Sequence, residues 1–225
     1  MRYPGGKGKC YQRIINLMPA HTTYIESHLG GGAVMRHKKP AALNIGIDID
    51  PRVVLRWQSE LPDVCQLVLA DATAYLQNYP FNGTELVYCD PPYVKATRRQ
   101  ARVYRHDFED ADHLRLLEVL KGLPCMVLLS GYDNPMYADA LIGWGKSTFS
   151  ARTRVDMREE CLWFNFEPPQ QLHDGAHLGG TFRERQSIKR RNQRWLDRLD
   201  SMKPAERSHL LTLIRDRYMR EVSQA

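Results

Sequence analysis

The sequence predicts an α/β fold, a mostly parallel sheet with helices on both faces, followed by a basic helical extension. Three observations carry this. Short apolar runs alternate with helix-period stretches, and the polar and glycine residues of most interest fall directly after the apolar runs. Beyond about residue 168 the strands stop, and two basic helical patterns take over. With 225 residues, 43% of them hydrophobic, the chain can bury one sizeable core and has little room for two.

In chain order, Tyr11 to Met18 reads as a helix ended by Pro19. Thr23 to Ile25 is a short strand running into Glu26-Ser27-His28-Leu29-Gly30-Gly31-Gly32, and Ala33 to Lys39 is the next helix. Leu43 to Ile49 is a strand ending at Asp50-Pro51, with Arg52 to Glu60 helical after it. Gln66 to Ala70 is a strand before Asp71, and Ala72 to Asn78 is helical. Glu85 to Cys89 is a strand that runs directly into Asp90-Pro91-Pro92-Tyr93. Asp112 to Lys121 is helical, and Pro124 to Ser130 is a buried-looking strand. Pro168-Pro169 and Gly179-Gly180 mark irregular chain. Residues 185–200 and 204–222 then read as helices, with Pro204 at a first helical position. Leu210, Leu211, Ile214, Tyr218 and Val222 share one face of the last helix, which predicts that it docks.

Several classes are excluded. No run approaches the roughly 18 apolar residues of a membrane span, and the mean hydropathy is −0.51. The N-terminus lacks the apolar stretch of a secretory signal. Cys10, Cys65, Cys89, Cys125 and Cys161 are too scattered for a disulfide framework or a metal knuckle, so a reducing cytoplasm is expected. His173 and His177 bracket Gly175 and have no third ligand nearby, which predicts a loop without metal. Trp57, Trp144 and Trp163 are expected in the core, whereas Trp195 lies in the basic tail.

The net charge is +6, and its distribution is uneven. Residues 183–225 hold 12 basic and 6 acidic residues, so the whole excess can be assigned to them. A second cluster, Lys95, Arg98, Arg99, Arg102 and Arg105, contains no acid. Both point to a polyanionic partner.

The sharpest chemical feature is Asp90-Pro91-Pro92-Tyr93 after an apolar strand. An exocyclic amine conjugated to a purine is a poor nucleophile because its lone pair is delocalised into the ring. A carboxylate and a backbone carbonyl that accept its two N–H protons draw the nitrogen toward tetrahedral geometry. Asp90 supplies the carboxylate, Pro91 fixes the backbone beside it, and Tyr93 offers a ring on which an extruded base can stack. Upstream, Gly30-Gly31-Gly32 allow close backbone approach to a ligand, although they do not match the wider-spaced dinucleotide fingerprint. Asp48 and Asp50 end the next strand, where a carboxylate can bind ribose hydroxyls, and Asp71 ends the one after. One acid per strand end, three strands running, suits a nucleoside-bearing cofactor.

These motifs, in this order, resemble those of the Dam-type (D12, α-group) adenine-N6 DNA methyltransferases, especially the short phage-associated members. The resemblance covers most of residues 1–166 and implies a Rossmann-like S-adenosylmethionine-dependent methyltransferase fold. Arg2-Tyr3-Pro4-Gly5-Gly6-Lys7 is similar to the N-terminal motif that borders S-adenosylmethionine. Glu26 to Gly32, with His28, resembles the cofactor loop, and Asp48-Ile49-Asp50-Pro51 resembles the ribose-binding motif with Asp48 at the hydroxyl position. Asp71, followed by Ala72, matches the acid at the cofactor adenine, and Asp90-Pro91-Pro92-Tyr93 matches the catalytic motif. Thr97-Arg98, Tyr104 to Phe108, Ser130 to Asp133 and Leu162 to Asn165 resemble the family's segments downstream of that motif. The resemblance implies transfer of a methyl group to N6 of a flipped-out adenine in double-stranded DNA, without a metal.

The chain also departs from the family. Ser27 and His28 stand where Pro and Phe are usual, and only 18 residues separate Asp71 from Asp90, leaving no room for an inserted recognition domain. Recognition is therefore expected from the C-terminal helices or from a basic loop at 94–106 carrying Lys95, Thr97, Arg98, Arg99, Arg102 and Arg105. This predicts a short or relaxed recognition site. The expected division is a catalytic domain over 1–167 and an irregular segment with a basic helical tail over 168–225. The alternatives are an RNA adenine methyltransferase, or a DNA-binding protein with a degenerate cofactor site.

Overall fold

The computed structural model describes residues 6–8, 10–98, 105–152 and 157–222. Two compact units are present, residues 1–177 and 178–225. The first contains β1 (Thr23–Glu26), β2 (Leu43–Asp48), β3 (Gln66–Leu69), β4 (Glu85–Cys89), β5 (Met126–Gly131), β6 (Gly145–Arg152) and β7 (Met157–Phe164). Its helices are α1 (Tyr11–Ile15), α2 (Ala33–His37), α3 (Pro51–Glu60), α4 (Ala72–Asn78), α5 (Asp110–Gly122) and α6 (Pro135–Ala140). The strands form one sheet in the order β3-β2-β1-β4-β5-β7-β6. Neighbouring strands among β1 to β5 pair parallel, whereas β7 runs antiparallel to both β5 and β6. This is the doubly wound order of a Rossmann-like fold, reversing direction of growth between β1 and β4.

The sheet is covered on both faces, and alternation along each strand divides its side chains between two cores. Leu86 and Tyr88 of β4 and Leu128 of β5 face Ile14, Ile15, Val34 and Trp57. Val87, Cys89, Val127 and Leu129 face Leu116, Leu117 and Leu120 of α5. The register aligns the carboxyl ends: Glu26 pairs with Gly46 and Tyr88, Asp48 with Leu69, and Cys89 with Leu129. The helices that leave these ends start on local signals. Asp50 Oδ1 accepts from Arg52 N at 2.9 Å with Pro51 at the first helical position, and Asp71 Oδ1 accepts from Ala74 N at 2.7 Å.

Elements over 11–131 match the sequence reading to within a few residues at their ends. Strand β6 and α6 are additional, and β7 contains Leu162 to Phe164 of the segment that resembled a family strand motif. Trp57 and Trp163 are buried and Trp144 is partly so, while Trp195 is exposed. The division falls between His177 and Leu178, ten residues beyond the expected boundary at 167/168. Residues 168–177 pack on the first unit: His173 N donates to Met18 O at 3.1 Å, His173 stacks on His21 at 3.8 Å, and Asp174 Oδ2 accepts from Lys39 N at 2.9 Å.

The second unit consists of a lead-in, α7 (Phe182–Asp200) and α8 (Pro204–Val222). Thr181 Oγ1 caps α7 by accepting from Glu184 N at 3.1 Å. On α8 the apolar stripe is unevenly covered, with Leu210 half-buried. Leu211, Ile214 and Tyr218 are 49%, 42% and 56% exposed.

Candidate active site

Four successive strand ends open onto one cleft. The first contributes Ser27, His28 and Gly30, and the second Asp48, Ile49 and Asp50. The third contributes Asp71 and Ala72, and the fourth Asp90 and Pro92. Arg105, His106 and Phe108 complete the lining. The cleft thus gathers His28, Gly30, Asp48, Ile49, Asp71, Ala72, Asp90 and Pro92, all singled out in the sequence. Pro91 is buried beside it. Tyr3, Gly5, Arg99 and Arg102 lie outside the described residues.

The strand-end acids do local work as well. Asp48 is buried, and its oxygens accept from Gly30 N at 2.8 Å and from Asp50 N at 2.9 Å. It therefore ties the glycine loop to the end of β2; burial raises its pKa. Asp71 caps α4 and takes Arg115 Nη2 at 3.0 Å on each oxygen. Gly30 has φ +45°, a conformation that suits glycine, and its carbonyl accepts from Trp57 Nε1 at 3.0 Å. His28 hydrogen-bonds through Nδ1 to Ser27 Oγ at 2.8 Å, and its Nε2 is buried without a partner among the described residues. Burial lowers its pKa to about 4, so the ring is neutral near pH 7.

Other expected cofactor residues lie outside the cleft lining. Glu26 is buried behind the loop, where Oε2 accepts from Tyr24 Oη and Met35 N, each at 2.9 Å. Burial pushes its pKa up to about 8. Gly32 starts α2 at φ +53°, where a Cβ would sit 2.1 Å from the Trp57 ring; close packing, not ligand approach, demands glycine there. Gly31 is not part of the lining, and Gly6 is exposed.

Lys7 lies at the centre of an interior network, 5% exposed. Its Nζ donates to Asp90 at 2.6 and 2.8 Å and to Tyr93 Oη at 2.6 Å, with Glu160 Oε2 at 3.8 Å. Tyr93 Oη donates to Glu160 at 2.6 Å, and Ser130 Oγ donates to Asp90 Oδ1 at 2.8 Å. Burial disfavours the Lys7 ammonium, but the Asp90 and Glu160 carboxylates outweigh it and raise the pKa. Tyr93, expected as an open stacking face, is 7% exposed, with its hydroxyl engaged and the Lys7 ammonium 4.8 Å from its ring centre. Sequence reasoning gave Glu160 no role, and Ser130 appeared only within a motif. Nothing in local spacing marks either one, because their partners are 67 and 40 residues away.

In the loop expected to contact DNA, the described cations each have an acidic partner. The Arg98 side chain is 5% exposed, with a two-pronged pair to Asp107 at 2.7 and 2.8 Å and a further bond to the Tyr93 carbonyl. Lys95 pairs with Glu109. Thr97 Oγ1 donates to Val94 O at 2.7 Å. Arg105 reaches Asp50 at 3.5 Å and lines the cleft. Acids downstream or at another strand end, absent from the cluster itself, balance these cations. No group of three or more His, Cys, Asp or Glu able to hold a metal occurs among the described residues, and none of their helices is long and apolar enough to cross a membrane.

Fold and cleft together define a Rossmann-like α/β protein with a cleft beyond the carboxyl ends of β1 to β4. Residues 66–143, from β3 to just past α6, match the family described as D12 class N6 adenine-specific DNA methyltransferase. The matched stretch contains Asp71 and Asp90-Pro91-Pro92-Tyr93, two of the motifs on which the resemblance rests. No curated protein matches the chain. Similar solved structures include a precorrin 8W decarboxylase of Methanobacterium thermoautotrophicum (10% identity, 72% of this chain and 92% of that one, TM-score 0.46). A magnesium protoporphyrin IX methyltransferase of Synechocystis with bound SAM aligns at 15% identity over 69% and 80% of the chains, TM-score 0.44. An rRNA methylase of Streptococcus thermophilus aligns at 11% identity over 68% and 92%, TM-score 0.45.

Proposed function

We propose that the chain transfers the methyl group of S-adenosylmethionine to the N6 amine of an adenine in double-stranded DNA. The observation that carries this reading is Asp90, followed by Pro91-Pro92-Tyr93, in the wall of a cleft whose other walls are Gly30, Asp48 and Asp71. The family match over the same tetrapeptide supports the adenine and the DNA.

The residues fit the cofactor. Gly30 offers backbone without a side chain, Asp48 and Asp50 offer carboxylate oxygens for hydroxyls, and the unpartnered His28 Nε2 is the kind of buried atom that a polar ligand satisfies. When bound, S-adenosylmethionine supplies a methyl group already activated by its positive sulfur. Positioning is then the main task of the protein. The target base is extruded from the duplex and its amine is held by Asp90. Asp90 gives up a Lys7 N–H to accept the amine N–H, and Lys7 keeps Tyr93 and Glu160 as partners. Ser130 fixes the carboxylate in orientation. The amine carries a surplus proton after transfer, and Asp90 is the base in contact with it. Tyr93, tied to Lys7 and Glu160, acts by positioning Lys7.

The test is incubation of the chain with methyl-labelled S-adenosylmethionine and DNA, RNA or free nucleosides in parallel. Label on N6-methyladenine from DNA is expected. Label confined to RNA or nucleosides, or no transfer with the cofactor bound, contradicts the reading.

A further inference from the structure

Helix α7 is crowded with cations of one kind. Between Phe182 and Asp200 it carries six arginines and one lysine against three acids. Arg183, Arg190, Arg191, Arg194 and Arg198 recur at spacings of seven, one, three and four, which places them on one face of a 3.6-residue helix. Ser187 falls within the same stripe, with Gln186 and Gln193 on its border. All five arginines are exposed, and none forms an ion pair among the described residues. The stripe runs from Arg183 to Arg198, about 22 Å of helix. No helix in the first unit has a comparable face, and the basic loop after Tyr93 has its described cations matched to Asp107, Glu109 and Asp50.

We propose that this face of α7 is the surface that grips double-stranded DNA. Arginine forks suit phosphate oxygens and guanine edges, and Gln186 and Gln193 have the amide geometry that pairs with adenine. A helix fits the major groove, and a stripe of about 22 Å spans the roughly 12 Å groove and reaches both bordering backbones. The opposite side of α7, with Ile188, Trp195, Leu196 and Leu199, is interrupted by Arg185, Lys189 and Asn192. That interruption disfavours insertion into a lipid surface, where the apolar face is continuous. The proposal rests on the DNA reading above and adds the element that supplies the grip, in a chain with no inserted recognition segment between Asp71 and Asp90.

The test uses the full chain and its Arg190→Gln/Arg191→Gln/Arg194→Gln variant, with Arg207→Gln/Arg215→Gln/Arg217→Gln on α8 as a variant of equal charge change. Binding to a short duplex is measured across a salt series, with S-adenosylmethionine binding and circular dichroism on the same samples to report folding. The α7 variant is expected to lose roughly ten- to a hundredfold in DNA affinity, with the salt slope reduced by about 2 to 3. The α8 variant is expected to stay within a few-fold of wild type. Unchanged affinity in the α7 variant, or equal loss in both, overturns the assignment of α7 and leaves the methyltransferase reading standing. A wild-type chain that binds duplex RNA or phosphatidylserine vesicles, but not DNA, overturns both.

Discussion

Two basic stretches look alike in sequence and behave differently in the molecule. The loop after Tyr93 and helix α7 are both arginine-rich, and both invite a nucleic-acid reading. In the loop, Arg98 is sealed against Asp107, Lys95 meets Glu109, and Arg105 turns to Asp50. On α7 the arginine stripe faces solvent. The difference teaches that a charge cluster identifies a partner only after its internal acids are found. In the first unit those acids come from 9, 14 and 55 residues away, which no local count reveals. Lys95, Arg98 and Arg105 have acidic partners, and the five stripe arginines of α7 have none among the described residues.

Breaking the pairs of the first unit sharpens this contrast. The largest effect is expected at Asp90, partner of Lys7: Asp90→Ala removes the amine acceptor, and kcat should fall by at least about a thousandfold. Calorimetry should find S-adenosylmethionine binding largely kept, with Lys7 still facing Glu160. Next comes Arg98→Ala, which leaves Asp107 with only the Phe108 N–H as donor and removes the Arg98 donor from the Tyr93 carbonyl. Thermal or urea unfolding should register a loss of about 3 kcal/mol, the low end for a broken buried pair because Asp107 is 16% exposed. The same variant, below its unfolding temperature, should keep the wild-type salt slope for DNA; a slope reduced as in the α7 variant would erase the distinction between the two regions.

A third expectation concerns a carboxyl that the fold buries. Glu26 has a pKa of about 8 when folded and 4.5 as its ordinary value. A folded value above the unfolded one contributes stability that is full below 4.5 and lost as pH rises through about 8. Unfolding free energy measured from pH 5 to 9 should decline through this window, and Glu26→Gln should flatten that decline. A profile identical in both proteins would mean that the carboxyl is ionised inside. The smallest effect is expected for Lys95→Ala, whose ammonium is 41% exposed: about 0.5 kcal/mol or less in stability, and less than about twofold in DNA affinity.

Much of this was legible in the sequence because it is local. Strands β1 to β5 are apolar runs, and Asp48, Asp71 and Asp90 end their runs where the sheet opens, so strand order alone assembled the cleft. Gly30 was legible through the conformation its loop needs. The β6–β7 hairpin was less so, because β6 reads Gly-Lys-Ser-Thr-Phe-Ser-Ala-Arg, with little apolar alternation. Glu26 was placed at the cofactor by its resemblance to the family's loop motif, and local sequence gives no sign that its carboxyl accepts from Tyr24 and Met35. Lys7 was expected at the cofactor, but its ammonium binds a carboxylate 83 residues downstream, a contact made only by folding. Docking of the tail was inferred from amphipathicity, which predicts an apolar stripe and does not name the surface that covers it.

The central claim is that Asp90 serves transfer of a methyl group to adenine N6. The most direct measurement is mass spectrometry of nucleosides from DNA incubated with labelled S-adenosylmethionine and either the wild-type chain or Asp90→Ala. Labelled N6-methyldeoxyadenosine from the wild type and none from the variant is the predicted result. Label on cytosine, or equal labelling by Asp90→Ala, would contradict it.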